Sequence, residues 1–261
     1  MKRSVIMFGS VMVVGLLAAL AGADQCPPDS VEAGPVCVDK YEASVWSIPA
    51  TNTVLIKKVK GGTATLAALQ AGKATQLGCT TARYNHTAFP VSFPSSGNWT
   101  DPVYAVSVAG TLPTACVKWF QAEQACALAG KRLLTNQEWQ RAAASTPDGA
   151  PCNVSSGSPK LTGTAGCVSA WGAFDMVGNV QEWVADWVPP ATTTACSTSL
   201  FGTADINCMT IDPTSSSIPS GPAALIRGGS FDDGTGAGVF AVNGLRQPSN
   251  AGGNIGFRCG R

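Results

Sequence analysis

The stretch Gly172–Trp187, GAFDMVGNVQEWVADW, decides how the rest of the chain is read. Gly178-Asn179 is a tight-turn dipeptide. Beyond it the side chains alternate, with Gln181, Trp183, Ala185 and Trp187 on one face and Val180, Glu182, Val184 and Asp186 on the other. A period of two argues a strand that carries two tryptophans towards a core. Asp175 and Glu182 bracket the turn, so two carboxylates and several backbone carbonyls can converge there. Calcium and other hard cations take such oxygen-only cages. The plainer reading is a turn in which Asp175 accepts from backbone N–H groups and Glu182 is solvated. Spacing alone favours the plainer one.

Working outward, residues 1–23 read as a secretory signal peptide. Lys2 and Arg3 precede an apolar run, Val5–Leu20, and Ala21-Gly22-Ala23 is a small-residue cleavage site. Residues 24–261 are then one domain, exported to a periplasmic, secreted or cell-surface location, with no membrane association beyond the export signal. Formal net charge is +1 and no basic run occurs, so nothing points to a nucleic-acid partner. All 10 cysteines follow the signal segment, an even number that implies disulfides in an exported chain. Cys152 and Cys167 are 15 residues apart, a loop whose closure is worth roughly 3 kcal/mol in the chain-entropy model. Neighbour pairing adds Cys26–Cys37, Cys79–Cys116 and Cys196–Cys208. The single histidine, His86, excludes a histidine metal cage, and its polar context reads as surface.

In chain order, Val36–Ser44 reads as a strand and Trp46–Lys60, rich in β-branched residues, as a hairpin. Thr65–Ala71 reads as a short helix, Gly78–Asp101 as loop and Tyr104–Val108 as a strand. Two helices follow. The first opens at Pro113-Thr114 and ends at Gly130. The second, Asn136–Ala144, carries the capping box Thr135-x-x-Glu138. Asp148–Gly166 and Pro189–Pro222 are long excursions that hold cysteine pairs. Leu225–Phe231, Val239–Asn243 and Ile255–Cys259 close the chain as strands.

Four blocks, DKYEAS, CVKWFQAEQACALAGKRLLTNQEWQRAAA, GAFDMVGNVQEW and RGGSF…NIGFRC, occur in this order. They resemble the formylglycine-generating enzyme (sulfatase-modifying factor) family. The resemblance implies an irregular, disulfide-rich α+β fold of C-type-lectin-like class, low in regular secondary structure. It also implies a structural calcium site on Asp175, Gly178, Val180 and Glu182, which turns the reading of the central turn towards calcium. It implies a disulfide between Cys126 and Cys259. The catalytic chemistry does not carry over. The family's two copper-binding cysteines fall at Asp233 and Gly238, neither of which holds a soft metal or acts as a thiol. Neither catalytic residues nor copper are expected.

A branch of this fold serves as the variable receptor of diversity-generating retroelements, and the segment Asp232–Asn254 looks similar. The expected function is therefore recognition of a protein or glycan ligand, with Asp232, Asp233, Thr235, Asn243, Leu245, Arg246 and Asn250 as the contact residues. The alternative is an oxidoreductase or accessory enzyme of the same family that acts by another mechanism. Leu225–Ser230 and Ile255–Arg258 are expected as adjacent framework strands, and Asp232–Asn254 as a largely exposed connection. Arg227 and Arg258 are expected to pair with carboxylates.

Overall fold

A computed structural model describes residues 26–90, 101–189, 196–197, 204–208 and 222–261. The expected signal segment, 1–23, lies outside them. Strands β1 (Ser30–Ala33) and β2 (Val36–Asp39) form a hairpin in which Ser30 faces Asp39. The expected strand Val36–Ser44 is divided. It breaks at Lys40–Glu42, where Lys40 N donates to Asp29 O and Lys40 O accepts from Phe174 N. It resumes as β3 (Ala43–Ser47).

The expected hairpin over Trp46–Lys60 is instead β3 followed by helix α1 (Thr53–Lys60). Asn52 supplies the cap, accepting from Leu55 N at 3.2 Å. Leu55 and Val59, one turn apart, are buried, and Lys57, Lys58 and Lys60 occupy the negative end of the helix. A cap, a packed face and a favourable dipole outweigh the weak strand preference of Val54 and Ile56. Helix α2 (Leu66–Ala71) starts at the Thr65 cap. Then come β4 (Thr75–Leu77) and β5 (Val103–Ser107), which flank β3 in one sheet.

Helix α3 (Trp119–Leu128) begins five residues later than Thr114. Thr114 is used elsewhere: its hydroxyl accepts from Val45 N and donates to Leu77 O. β6 (Arg132–Leu133) and α4 (Asn136–Ala142) follow, and the Thr135/Glu138 capping box is formed. β7 (Gln181–Val188) is the strand read from the central stretch. The remaining strands are β8 (Cys196–Ser197), β9 (Asn207–Cys208), β10 (Ala223–Arg227), β11 (Val242–Arg246), β12 (Ile255–Phe257) and β13 (Cys259–Gly260). A second sheet runs β1-β2-β13-β6 and a third runs β12-β7-β10-β11-β9-β8.

In the third sheet β7 lies between β10 and β12, so the two framework strands are not adjacent as expected. The apolar alternation of β7 accounts for this. Trp183 sits opposite Ile226 on one side and Phe257 on the other, is fully buried, and donates from Nε1 to Val117 O. Pairing on both edges encloses Trp183 between two apolar partners and removes it from water. Trp187, the second tryptophan, does not reach the core. It is 43% exposed and packs edge-on against Trp119 and Phe120. β10 stops at Arg227 because Gly228 and Gly229 turn left-handed, and a Cβ at Gly228 would lie 2.7 Å from Met176 O.

Disulfides join Cys26–Cys37, Cys79–Cys116, Cys126–Cys259 and Cys152–Cys167. Cys208 is also disulfide-bonded, and the strand register sets it opposite Cys196, whose side chain lies outside the described residues. Among the described residues no helix is long and apolar enough to cross a membrane.

Candidate functional site

The central turn is built on left-handed backbone at Asp175, Gly178 and Asn179. Asn179 is a four-way junction. Its Nδ2 donates to Glu42 Oε2 at 2.5 Å and to Lys160 O, while its Oδ1 accepts from Asn153 Nδ2 and Lys160 N. Glu42 also accepts from Val180 N at 3.0 Å. This links the DKYEAS block to the turn across 138 residues of sequence. In the sequence Glu42 is marked only by its place in the DKYEAS block.

The two carboxylates assigned to calcium have other partners. Arg258, fully buried, donates from Nε to both oxygens of Glu182 at 2.8 Å and from Nη2 to Oε1 at 2.6 Å. Trp139 Nε1 donates to Glu182 Oε2 at 2.6 Å. The same guanidinium donates to Phe174 O at 2.8 Å and to Asp39 O at 3.1 Å. Asp175 accepts from Gly163 N at 2.6 Å and from Thr164 N at 3.3 Å. Arg258 thus provides the positive charge that the carboxylates and carbonyls of the turn require. As they stand, Asp175 and Glu182 do not fit a calcium ion, which would have to draw both away from these donors. Among the described residues no group of three or more His, Cys, Asp or Glu side chains is placed to hold a metal.

The cluster is rich in negative charge. Burial first, then the charges of Asp175 and Glu182, raise the Glu42 carboxyl well above the usual range. Burial also raises Asp175. For Arg258 burial opposes the charged form, yet Glu182, Glu42 and Asp175 together raise its pKa. Beside this cluster, Lys131 Nζ lies 2.6 Å from both Asp29 and Asp39 with its side chain fully enclosed. Arg227, expected to meet a carboxylate, instead donates to the amide oxygens of Asn136 and Gln140 and stacks over Trp139. Arg258 meets Glu182 as expected.

The segment Asp232–Asn254 is not the exposed connection expected. Gly236, Ala237, Gly238, Ala241, Val242, Gly244 and Pro248 are buried, because β11 is an interior strand between β10 and β9. Asp232, Thr235, Arg246 and Asn250 are exposed, while Asp233, Asn243 and Leu245 are half-buried. Asp233 Oδ2 accepts from Ser230 N and Oγ at 2.7 and 2.8 Å and from Gln181 Nε2 at 3.3 Å. Asp233 is therefore a turn-forming residue. Asn243 accepts from Leu245 N and Asn250 from Gln247 N, each fixing local backbone.

The surroundings of positions 233 and 238 bear directly on chemistry. A Cβ at Gly238 would lie 2.2 Å from Asp205 Oδ2, so the buried Asp205 carboxylate fills the space of any side chain there. Asp205 is held in place by Phe240 N at 2.7 Å. The cavity lined by Asp233, Gln181 and Asn243 measures only about 30 Å³. Substrate pockets occupy roughly 300–1,000 Å³. No sequence pattern announced Asp205, which lies in an excursion far from Gly238 in the chain.

Residues 95–261 match the model of the sulfatase-modifying factor enzyme 1-like domain. A formylglycine-generating enzyme from Streptomyces coelicolor is 30% identical over 176 residues, covering 56% of this chain. The chain spans about half the length of that curated relative, 52%. Among solved structures, the Major Tropism Determinant M1 Variant aligns with a TM-score of 0.45 at 19% identity, covering 86% of this chain and 49% of that one. The crystal structure of CarF aligns at 0.42 and 16% identity, covering 87% and 85%. No property of either is carried to this chain from such values. The match over 95–261, which takes in three of the four sequence blocks, together with the irregular, disulfide-rich α+β architecture, establishes that the chain belongs to the sulfatase-modifying factor (formylglycine-generating enzyme-like) family.

Proposed function

We propose that this chain is an exported recognition protein of the family that has no copper-thiolate centre. The observation that carries the reading is the Asp205–Gly238 contact. One copper-ligand position is a glycine whose side-chain space is filled by a carboxylate. The other, Asp233, is engaged by Ser230 and Gln181. Soft copper needs thiolates, and neither position supplies one. Export is supported by the disulfides, four of them joined wholly among the described residues, since such bonds persist in oxidising compartments.

The exposed residues of the C-terminal segment are the contact surface in this reading. Asp232, Thr235, Arg246 and Asn250 stand on a frame held by β7, β10 and the Cys126–Cys259 disulfide. Exposed side chains on a rigid frame suit recognition. The test has two arms. Purified protein is incubated with copper and a cysteine-containing sulfatase peptide, and mass spectrometry should find no conversion of the thiol to aldehyde. A displayed library of random peptides is then selected on the protein, and binding of the enriched peptides should fall on Arg246→Ala and Thr235→Ala while melting is unchanged. Aldehyde formation, or an enriched set indifferent to both substitutions, overturns the reading.

A further inference from the structure

A cleft of about 540 Å³ lies between the start of α2, the 84–87 turn and the 110–112 loop, and none of residues 232–254 lines it. This volume lies within the range of small-molecule sites. Its chemistry is distinctive in two respects. First, no aspartate, glutamate, lysine or arginine lines it. The chain's single histidine, His86, does line it, and burial holds its pKa below the ordinary histidine value, so the wall is uncharged at neutral pH. Second, apolar and hydrogen-bonding groups are mixed. Leu66 and Leu112 contribute apolar surface, Trp46 lines the cleft while only 5% exposed, and Leu161 is 56% exposed at the edge. Gln70, Asn85 and Thr87 are exposed, and their side chains engage no other group among the described residues.

The walls are held in place. Gln76 Nε2 donates to Leu112 O at 2.7 Å, and Thr111 Oγ1 donates to Gln76 Oε1 at 3.0 Å. Opposite them, the turn carrying Asn85 is fixed by the Cys79–Cys116 disulfide and by Tyr84, whose hydroxyl donates to Gly253 O at 2.5 Å. Asn85 itself adopts a left-handed backbone, which a tightly held turn maintains. His86 Nδ1 is buried without a hydrogen-bond partner, a cost that an uncompensated polar atom normally avoids. Pre-formed walls lower the ordering cost of binding.

We propose that this cleft binds a short, uncharged saccharide. A sugar presents an apolar C–H face to the Leu66–Leu112–Leu161 side and a ring of hydroxyls to amide and hydroxyl groups of Gln70, Asn85 and Thr87. An ionised ligand would meet no countercharge in the wall and would lose hydration without replacement. The cleft shares no lining residue with the C-terminal contact surface, so either can fail without the other.

The test is calorimetric titration of the intact mature protein with maltotriose, cellotriose and triacetylchitotriose, with trigalacturonate as the charged comparator. At least one neutral trisaccharide should saturate below about 10 mM, and trigalacturonate should bind at least about tenfold more weakly. Affinity should be unchanged between about 50 and about 500 mM NaCl, since no charge takes part. Thr87→Trp, which fills the cleft from an exposed position, should lower affinity at least about tenfold, and Arg246→Ala should leave it intact. If Thr87→Trp does not fold, Gln70→Ala serves in its place with a smaller loss. Absence of binding by all three neutral sugars, tighter binding of trigalacturonate, or indifference to the cleft variants overturns the proposal.

Discussion

Arg258 is the residue on which the interior turns. It stands among Glu182, Glu42 and Asp175, and its fully buried guanidinium satisfies both oxygens of Glu182. Removing one partner of a buried pair leaves an uncompensated charge, at a cost of about 3–5 kcal/mol. Because Arg258 already supplies the positive charge, addition of a calcium chelator should leave the melting temperature of the native protein unchanged. A fall on chelation would show that a cation displaces the guanidinium, and Asp175→Ala or Glu182→Ala should then abolish that sensitivity. Asp39 governs pH dependence nearby. Burial raises its carboxyl from 3.8 to about 6, although Lys131 at 2.6 Å acts to lower it. The folded state therefore holds this proton more tightly than the unfolded chain does. Its contribution to stability is fully present below about pH 4 and is lost as the pH rises through about 6. Asp39→Asn should remove that falling component, measured as a flatter dependence of unfolding free energy on pH across this window. An unaltered slope would assign the pH dependence to other groups.

At the scale of elements, α1 shows how a local device overrides composition. Val54, Ile56 and Val59 lend the segment a strand-like content, yet Asn52 caps it and Leu55 and Val59 pack one face. Asn52→Ala should cost about 1 kcal/mol, the usual value of a lost cap. Denaturant titration should show the midpoint move without a change in slope, whereas no shift would place the stability of α1 wholly in its packing. The capping box of α4 was legible because Thr135 and Glu138 have the required spacing and no tertiary partner is needed to close it. The late start of α3 was not legible. Thr114 looks like a helix opener, but its hydroxyl bridges β3 and β4, and only the assembled sheet provides those partners.

For the whole molecule, long-range ties replace regular secondary structure. Cys126–Cys259 closes 133 residues and joins α3 to β13. In the chain-entropy model a loop of that size is worth about 5 kcal/mol. Replacing both cysteines with serine should lower the melting temperature by on the order of 10–20 °C, taking a few degrees per kcal/mol for a chain of this length. Loss of Cys26–Cys37, with a separation of 11, should cost less, since the shorter loop restricts the unfolded chain less. Equal losses for the two bonds would mean that native-state contacts, not loop closure, set their value.

What the sequence alone determined is whatever depends on near neighbours or on whole blocks. The turn at Gly178-Asn179 and the period of two in β7 follow from local sterics, as does the capping box of α4. The four blocks point to the family because several spaced motifs agree, and the replacement of both cysteines by Asp233 and Gly238 is visible directly. What only the tertiary structure decided is which groups meet across long separations. Arg258 takes Glu182, Asp205 fills the space beside Gly238, and β7 inserts between β10 and β12. A carboxylate's partner and a strand's neighbour are set by the burial of the entire chain, since a buried charge accepts whichever donor the packed core brings within hydrogen-bonding reach.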